Sequence, residues 1–178
     1  MKRHYISAML LSGICTSALA GDVNFEVSEQ AVSADVKTDI SPNLTMGGGY
    51  TYSDNKGQLV QFSMQMAHQS GPHSFEIGPK FVQAWMDKGP NATVLSVGGE
   101  YGLQIAKNIT LKAAAYYAPS VLSFADSSGY FEYEGKAEYR FNPNMAISLG
   151  YRKASFDFES APNRTFEEGM FIGGKASF

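Results

Sequence analysis

From Leu44 to the C-terminus, apolar residues recur at every second position, and clusters of turn residues interrupt the alternation. Leu44, Met46, Gly48, Tyr50 and Tyr52 share one side of an extended chain; Thr45, Gly47, Gly49, Thr51 and Ser53 share the other. After Asp54-Asn55-Lys56-Gly57 the alternation resumes with Val60, Phe62, Met64 and Met66. After Ser70-Gly71-Pro72 it resumes with Phe75, Ile77, Phe81 and Trp85. Further sets begin at Leu95, Ile109, Phe131, Met145 and Met170. Each segment runs about ten residues, the length of a tilted membrane-crossing strand and longer than an ordinary soluble strand. Helical spacing explains none of them as well.

The connections alternate too. Ser41-Pro42-Asn43, Ser70 to His73, Ala106-Lys107-Asn108 and Asn142-Pro143-Asn144 are tight, whereas Asp87 to Asn91, Pro119 to Ser128 and Ser160 to Phe166 are longer. Short turns at one end and long loops at the other are the pattern of an outer-membrane barrel. Eight segments follow Leu44. Upstream, Val23, Phe25 and Val27 alternate in one phase and Val32, Ala34, Val36 and Ile40 in the other, so the phase slips near Gln30. A turn there gives ten strands, with both ends on one side; a bulge gives nine, with the ends on opposite sides. The expectation is an all-β, transmembrane, antiparallel up-and-down barrel of ten strands, with eight as the alternative.

Two architectures share this alternation: a soluble ligand-binding barrel with the apolar face inside, and a membrane barrel with that face in lipid. Tyr50, Tyr52, Trp85, Tyr101, Tyr117, Tyr139, Phe141 and Tyr151 cap the apolar stripes near the strand ends, as interface girdles do. The chain also ends on Phe178, an aromatic terminus resembling the assembly signal of outer-membrane proteins. Both favour lipid. The other face then lines a lumen holding Glu26, Asp35, Asp39, Glu76, Glu100, Glu132, Glu134 and Glu138 against Lys37, Lys80, Lys112, Lys136, Arg140, Arg152 and Lys175. A barrel this narrow is largely filled by side chains, and a balanced interior should form paired networks, since unpaired buried charge is costly. A selective pore would more naturally show an excess of one sign.

The first twenty residues do not share the pattern. Lys2 and Arg3, the apolar run Ile6–Ile14 and Ala18-Leu19-Ala20 read as a secretory signal peptide cut before Gly21, leaving residues 21–178 as one barrel domain. The apolar run is too short for a membrane helix, and Ile14 before Cys15 is a poor lipidation context. Cleavage also removes Cys15, the only cysteine. It leaves 158 of the 178 residues and lowers the Lys+Arg count from 14 to 12 against 17 acids, a net charge of −5. There is no basic cluster for nucleic acid. At 44% apolar and 17% charged the whole chain has the average of a soluble domain, because the alternation hides its hydrophobic face from any average.

Candidate chemistry is sparse. His68 and His73 flank Ser70-Gly71 on the expected periplasmic side, away from where a surface Ser–His nucleophile would act, and no third metal ligand accompanies them. Gly47-Gly48-Gly49 lacks a phosphate-loop context and reads as a site of barrel curvature. No cofactor and no catalytic residue is expected.

Ala115-Tyr116-Tyr117-Ala118-Pro119, Gly150-Tyr151-Arg152 and the ending Gly173-Gly174-Lys175-Ala176-Ser177-Phe178 resemble the YfaZ family of small bacterial envelope proteins. The likeness spans most of residues 21–178, and Tyr-Tyr-Ala-Pro is its most specific part. It implies an outer-membrane barrel of a Gram-negative bacterium and brings no catalytic residues with it. The expected role is a structural or surface-interaction barrel with a filled lumen. A narrow solute channel and a soluble periplasmic ligand-binding barrel are the alternatives. Expected partners are outer-membrane lipid, lipopolysaccharide and, through the C-terminal strand, the barrel-assembly machinery. The loop Ser120–Ser128, carrying Val121, Leu122 and Phe124, should fold over the rim or touch lipopolysaccharide.

Overall fold

A computed structural model describes residues 21–178; the signal-peptide reading of residues 1–20 lies outside them. The chain forms strands β1 (Gly21–Ser28), β2 (Val32–Ser41), β3 (Leu44–Ser53), β4 (Gly57–Ser70), β5 (His73–Met86), β6 (Ala92–Ala106), β7 (Ile109–Ala118), β8 (Ser123–Ala125), β9 (Ser127–Asn142), β10 (Met145–Phe158) and β11 (Arg164–Ser177). Ten of these close into an antiparallel barrel in the order β5-β4-β3-β2-β1-β11-β10-β9-β7-β6, with β6 returning to β5. Closure satisfies the ladder groups that an open sheet edge would expose to lipid.

The phase slip near Gln30 is a turn. The Ser28 amide donates to the Ala31 carbonyl at 2.9 Å, and the Ala31 amide donates back to Ser28 Oγ at 3.0 Å. β1 and β2 are therefore separate barrel strands, and the eight-stranded alternative is not adopted. Both ends of the described chain lie on the side of the turns at 42–43, 71–72, 107–108 and 143–144; Gly21 and Phe178 bond each other in both directions at 3.0 Å. The longer connections gather at the other end.

Phe25, Phe62, Ile77, Val97, Leu111, Ile147, Leu149 and Ile172 all point outward and are exposed, so the alternating apolar set clothes the outside of the barrel. That arrangement is the inverse of a soluble ligand-binding barrel. Aromatics border the belt. Tyr52, Trp85, Tyr117, Phe131, Tyr133 and Tyr151 lie toward the long loops, and Phe75, Tyr101, Tyr139, Phe141 and Phe178 toward the tight turns.

Six strands are longer than the sequence led one to expect: β4, β5, β6, β9, β10 and β11 have 14 to 16 residues. A bilayer needs only about nine to eleven. The surplus rises beyond the outer aromatic ring, and there the pattern inverts. On β10, Lys153, Ser155 and Asp157 follow the outward phase of Tyr151, while Ala154, Phe156 and Phe158 turn inward and are buried. The loop after β7 folds back as expected. A 3-10 turn (Ser120–Leu122) leads into β8, which pairs with β6 at Val94, Thr93 and Ala92, above the point where β7 stops.

Candidate functional site in the lumen

The lumen has three levels. At the long-loop end, Leu59, Val82, Ala84, Val94, Ala118, Tyr130, Phe156, Phe158 and Phe166 form one buried apolar cluster, with Leu122 of the folded loop packed against it. Tyr130, Phe156, Val82 and Val94 are at most 1% exposed, and the Tyr130 and Phe156 rings meet at 4.7 Å between centroids. This apolar level stands beside the lumen charges read from the sequence, and none of its residues was among them. A β-bulge helps to build it. Ala154 pairs with Glu167 but Ser155 with Thr165, so the extra residue Phe166 and its neighbour Glu167 are both buried.

Below the plug lies the charged layer. Lys80 Nζ sits 2.5 Å from Glu132 and 4.0 Å above the Tyr116 ring, and Tyr130 donates its hydroxyl to the same carboxylate. Gln65 bonds the Tyr116 hydroxyl. Beside this group, Arg152 reaches Glu134 at 2.5 Å, Glu26, and Glu167 at 3.6 Å; its guanidinium also lies 5.0 Å over the Phe171 ring. Lys136 bridges the same carboxylates, 2.8 Å from Glu134 and 3.3 Å from Glu26. Asp35 accepts from Gln61 Nε2 at 2.8 Å. Opposite charges held at such distances compensate each other's desolvation, as a low-dielectric interior requires.

Gly47 and Gly49, read from the sequence as a site of curvature, provide room here. A Cβ at Gly49 would collide with the Asp35 carboxylate, and one at Gly47 would stand 2.7 Å from Ser63 Oγ. The gap in side-chain volume on β3 is filled by polar groups from β2 and β4.

Nearest the tight turns the charges line an open vestibule of about 310 Å³, with Glu76, Glu100, Lys112, Glu138 and Lys175 on its walls. Lys37 pairs with Glu76. Lys112 is 3.1 Å from Glu100 and 4.0 Å from Glu138, and Lys175 is 2.5 Å from Glu138. Asp39 lines this opening but is exposed. Arg140 is exposed near the end of β9 and belongs to neither network among the described residues. Sequence reasoning missed Glu167, Tyr116, Tyr130, Gln61, Gln65 and Asp22, the last 3.9 Å from Lys175.

Outside the lumen, His73 Nδ1 lies 2.8 Å from the Tyr101 hydroxyl, and His68 is exposed. Among the described residues there is no group of three or more His, Cys, Asp or Glu placed to hold a metal.

Solved structures with a similar trace are membrane barrels. The NanC porin is 9% identical with a TM-score of 0.48, covering 90% of this chain and 98% of its own. The outer-membrane channel DcaP of Acinetobacter baumannii is 10% identical with a TM-score of 0.45; 87% of this chain aligns, spanning about half (54%) of that channel. A de novo designed transmembrane β-barrel is 16% identical with a TM-score of 0.40, covering 89% of this chain and 95% of the design. None of this bears on what passes through the lumen. Among curated proteins none matches the sequence. The family described as "YfaZ precursor" matches residues 1–178, the same family that the Tyr-Tyr-Ala-Pro element resembles. With the whole length matched, the chain belongs to the YfaZ family.

Proposed function

We propose that this protein is a small outer-membrane barrel with a sealed lumen, acting as a structural or surface-interaction element and not as a conduit. The observation that carries the reading is the apolar plug. Tyr130, Phe156, Phe166, Val82 and Val94 pack as one buried cluster across the lumen between the charged layer and the long-loop end. The outward apolar belt with its two aromatic borders supports residence in lipid, and the signal-peptide pattern supports export. In this orientation the tight turns and both ends face the periplasm and the long loops face out.

The partners follow from these surfaces: outer-leaflet lipid and lipopolysaccharide around the belt, and the barrel-assembly machinery at β11 through its terminal Phe178. The reading assigns no catalysis. Among the described residues no histidine side chain has a hydrogen bond to a serine side chain, and both histidines stand at the tight-turn end. Product analysis on outer-membrane lipids should show no turnover.

Planar-bilayer recording on purified protein tests the sealed lumen. The expected trace is silent, and steady, reproducible unit steps would overturn the proposal. Fractionation tests the setting: the protein should need detergent for extraction and migrate differently on gels before and after boiling.

A further inference from the structure

The cations of the charged layer and vestibule meet carboxylates, but at the long-loop end three do not. Lys56 in the β3–β4 turn, Lys88 in the β5–β6 loop and Arg164 at the start of β11 border one pocket. Its other lining residues are Asn55, Asn163 and Thr165, with Met86 and Phe166 as an apolar floor, so no carboxylate lines it. No ion pair within 4.0 Å involves any of the three cations among the described residues. The neighbouring carboxylates Asp54 and Asp87 stay outside the lining, and Asp54 accepts from the Tyr52 hydroxyl at 3.4 Å.

A second observation concerns Arg164 itself. Its Nε is buried and has no hydrogen-bond partner among the described residues. Buried donors of this kind are normally satisfied, and a guanidinium is suited to planar, forked recognition of an oxyanion. The loop above is shaped around this side chain. Gly89 has φ of +119°, a backbone conformation that favours glycine, and a Cβ there would stand 2.7 Å from Arg164 Nε. The pocket encloses about 480 Å³, within the range of sites for small organic ligands and larger than a bare phosphate requires.

We propose that Lys56, Lys88 and Arg164 form a binding site for a phosphate ester carried on a sugar, with the phosphate held by the three cations and the sugar against Asn55, Asn163 and the Met86–Phe166 floor. This rests on the outward orientation of the long loops. Two sources present such a group there: the phosphorylated sugar headgroup of the outer leaflet, and a free sugar phosphate.

The test uses the full mature barrel in nanodiscs and in detergent, titrated with glucose 1-phosphate, and separately the barrel in lipid A-containing against phosphatidylglycerol-only nanodiscs. Binding is read by calorimetry for the sugar phosphate and by retained lipid A after extraction for the headgroup. Arg164→Gln should weaken binding about tenfold or more, Lys88→Glu should do the same, and raising salt should weaken the wild type more than either variant. Lys107→Gln, at a tight turn on the opposite end, should bind like wild type. Saturable glucose 1-phosphate binding assigns the free source; lipid A retention without it assigns the headgroup. The proposal is overturned if wild type binds neither probe, or if Arg164→Gln and Lys88→Glu bind as wild type does. Heat-modifiable gel mobility, read on every variant, shows whether the barrel is folded. A folded, electrically silent barrel that binds neither probe refutes this site and leaves the sealed-barrel reading standing.

Discussion

Arg152→Met should be among the most destabilising single substitutions in the barrel. Arg152 faces Glu134 at 2.5 Å, Glu26, and Glu167 at 3.6 Å, and the remaining cation touching this set is Lys136, bonded to Glu134 and Glu26. The substitution therefore leaves three carboxylates against one ammonium inside the lumen. At an effective dielectric of about 20, a unit charge about 3 Å away contributes roughly 5 kcal/mol of attraction, most of it offset by desolvation. Breaking a buried set by removing one partner costs about 3–5 kcal/mol, because the stranded charges remain. Urea unfolding in lipid vesicles measures this through Trp85, the single tryptophan, which is 47% exposed on the outer face of the barrel and would lie in lipid when folded. A cycle with Glu134→Gln isolates the pair, and coupling of about 1 kcal/mol or more is expected from residues in direct contact. If Arg152→Met lies within about 0.5 kcal/mol of wild type, like an ordinary surface change, the claim of a paired, desolvated network is wrong.

Other outcomes follow from the same geometry. Phe156→Ala should cost about 3–5 kcal/mol, as aromatic-to-alanine changes in packed interiors do, and Phe156→Ala with Tyr130→Ala should raise bilayer conductance above that of wild type. Gly49→Ala should destabilise by about 1–3 kcal/mol through its collision with Asp35, and Asp35→Ala in the same chain should recover much of that loss in urea titrations. Leu149→Arg, in the outward belt between Met145 and Tyr151, should cost about 2–4 kcal/mol in vesicle unfolding, whereas Ser155→Arg, beyond the outer aromatic ring, should cost about 0–1.

The architecture was legible because two-residue alternation survives in every barrel strand, and because turn residues such as Asn142-Pro143-Asn144 punctuate it. Even the strand number followed once Gln30 was placed in a turn. The charged half of the lumen was legible for the same reason: Glu132, Glu134, Lys136 and Glu138 share one phase of β9. The plug was not, because its residues use that same inward phase. Phe156 and Phe158 continue the phase of Arg152, and a rule equating apolar with lipid-facing has no place for them. The signal was present in their neighbours: Lys153, Ser155 and Asp157 are polar where a lipid-facing strand should be apolar, which marks the height at which the solvent outside changes. Phe166 and Glu167 were hidden more deeply, since their adjacent burial depends on a bulge that no alternation records. The Lys56–Lys88–Arg164 pocket joins three loops distant in sequence, and only closure of the barrel brings them together.

The bond between Gly21 and Phe178 has a consequence for the order of folding. The seam joins β1 to β11, strands separated by nearly the whole described chain, so closing it requires the most non-local pairing in the molecule. Such contacts pay their loop entropy before any stabilisation returns. Hairpins such as β4–β5 and β9–β10 can pair as soon as both arms are present, but the seam must wait for the last strand to be delivered. Until then β1 and β11 are two open edges of one apolar sheet, able to pair with any other strand they meet. Anything that accompanies this chain before closure must therefore guard that seam until its own partner strand arrives.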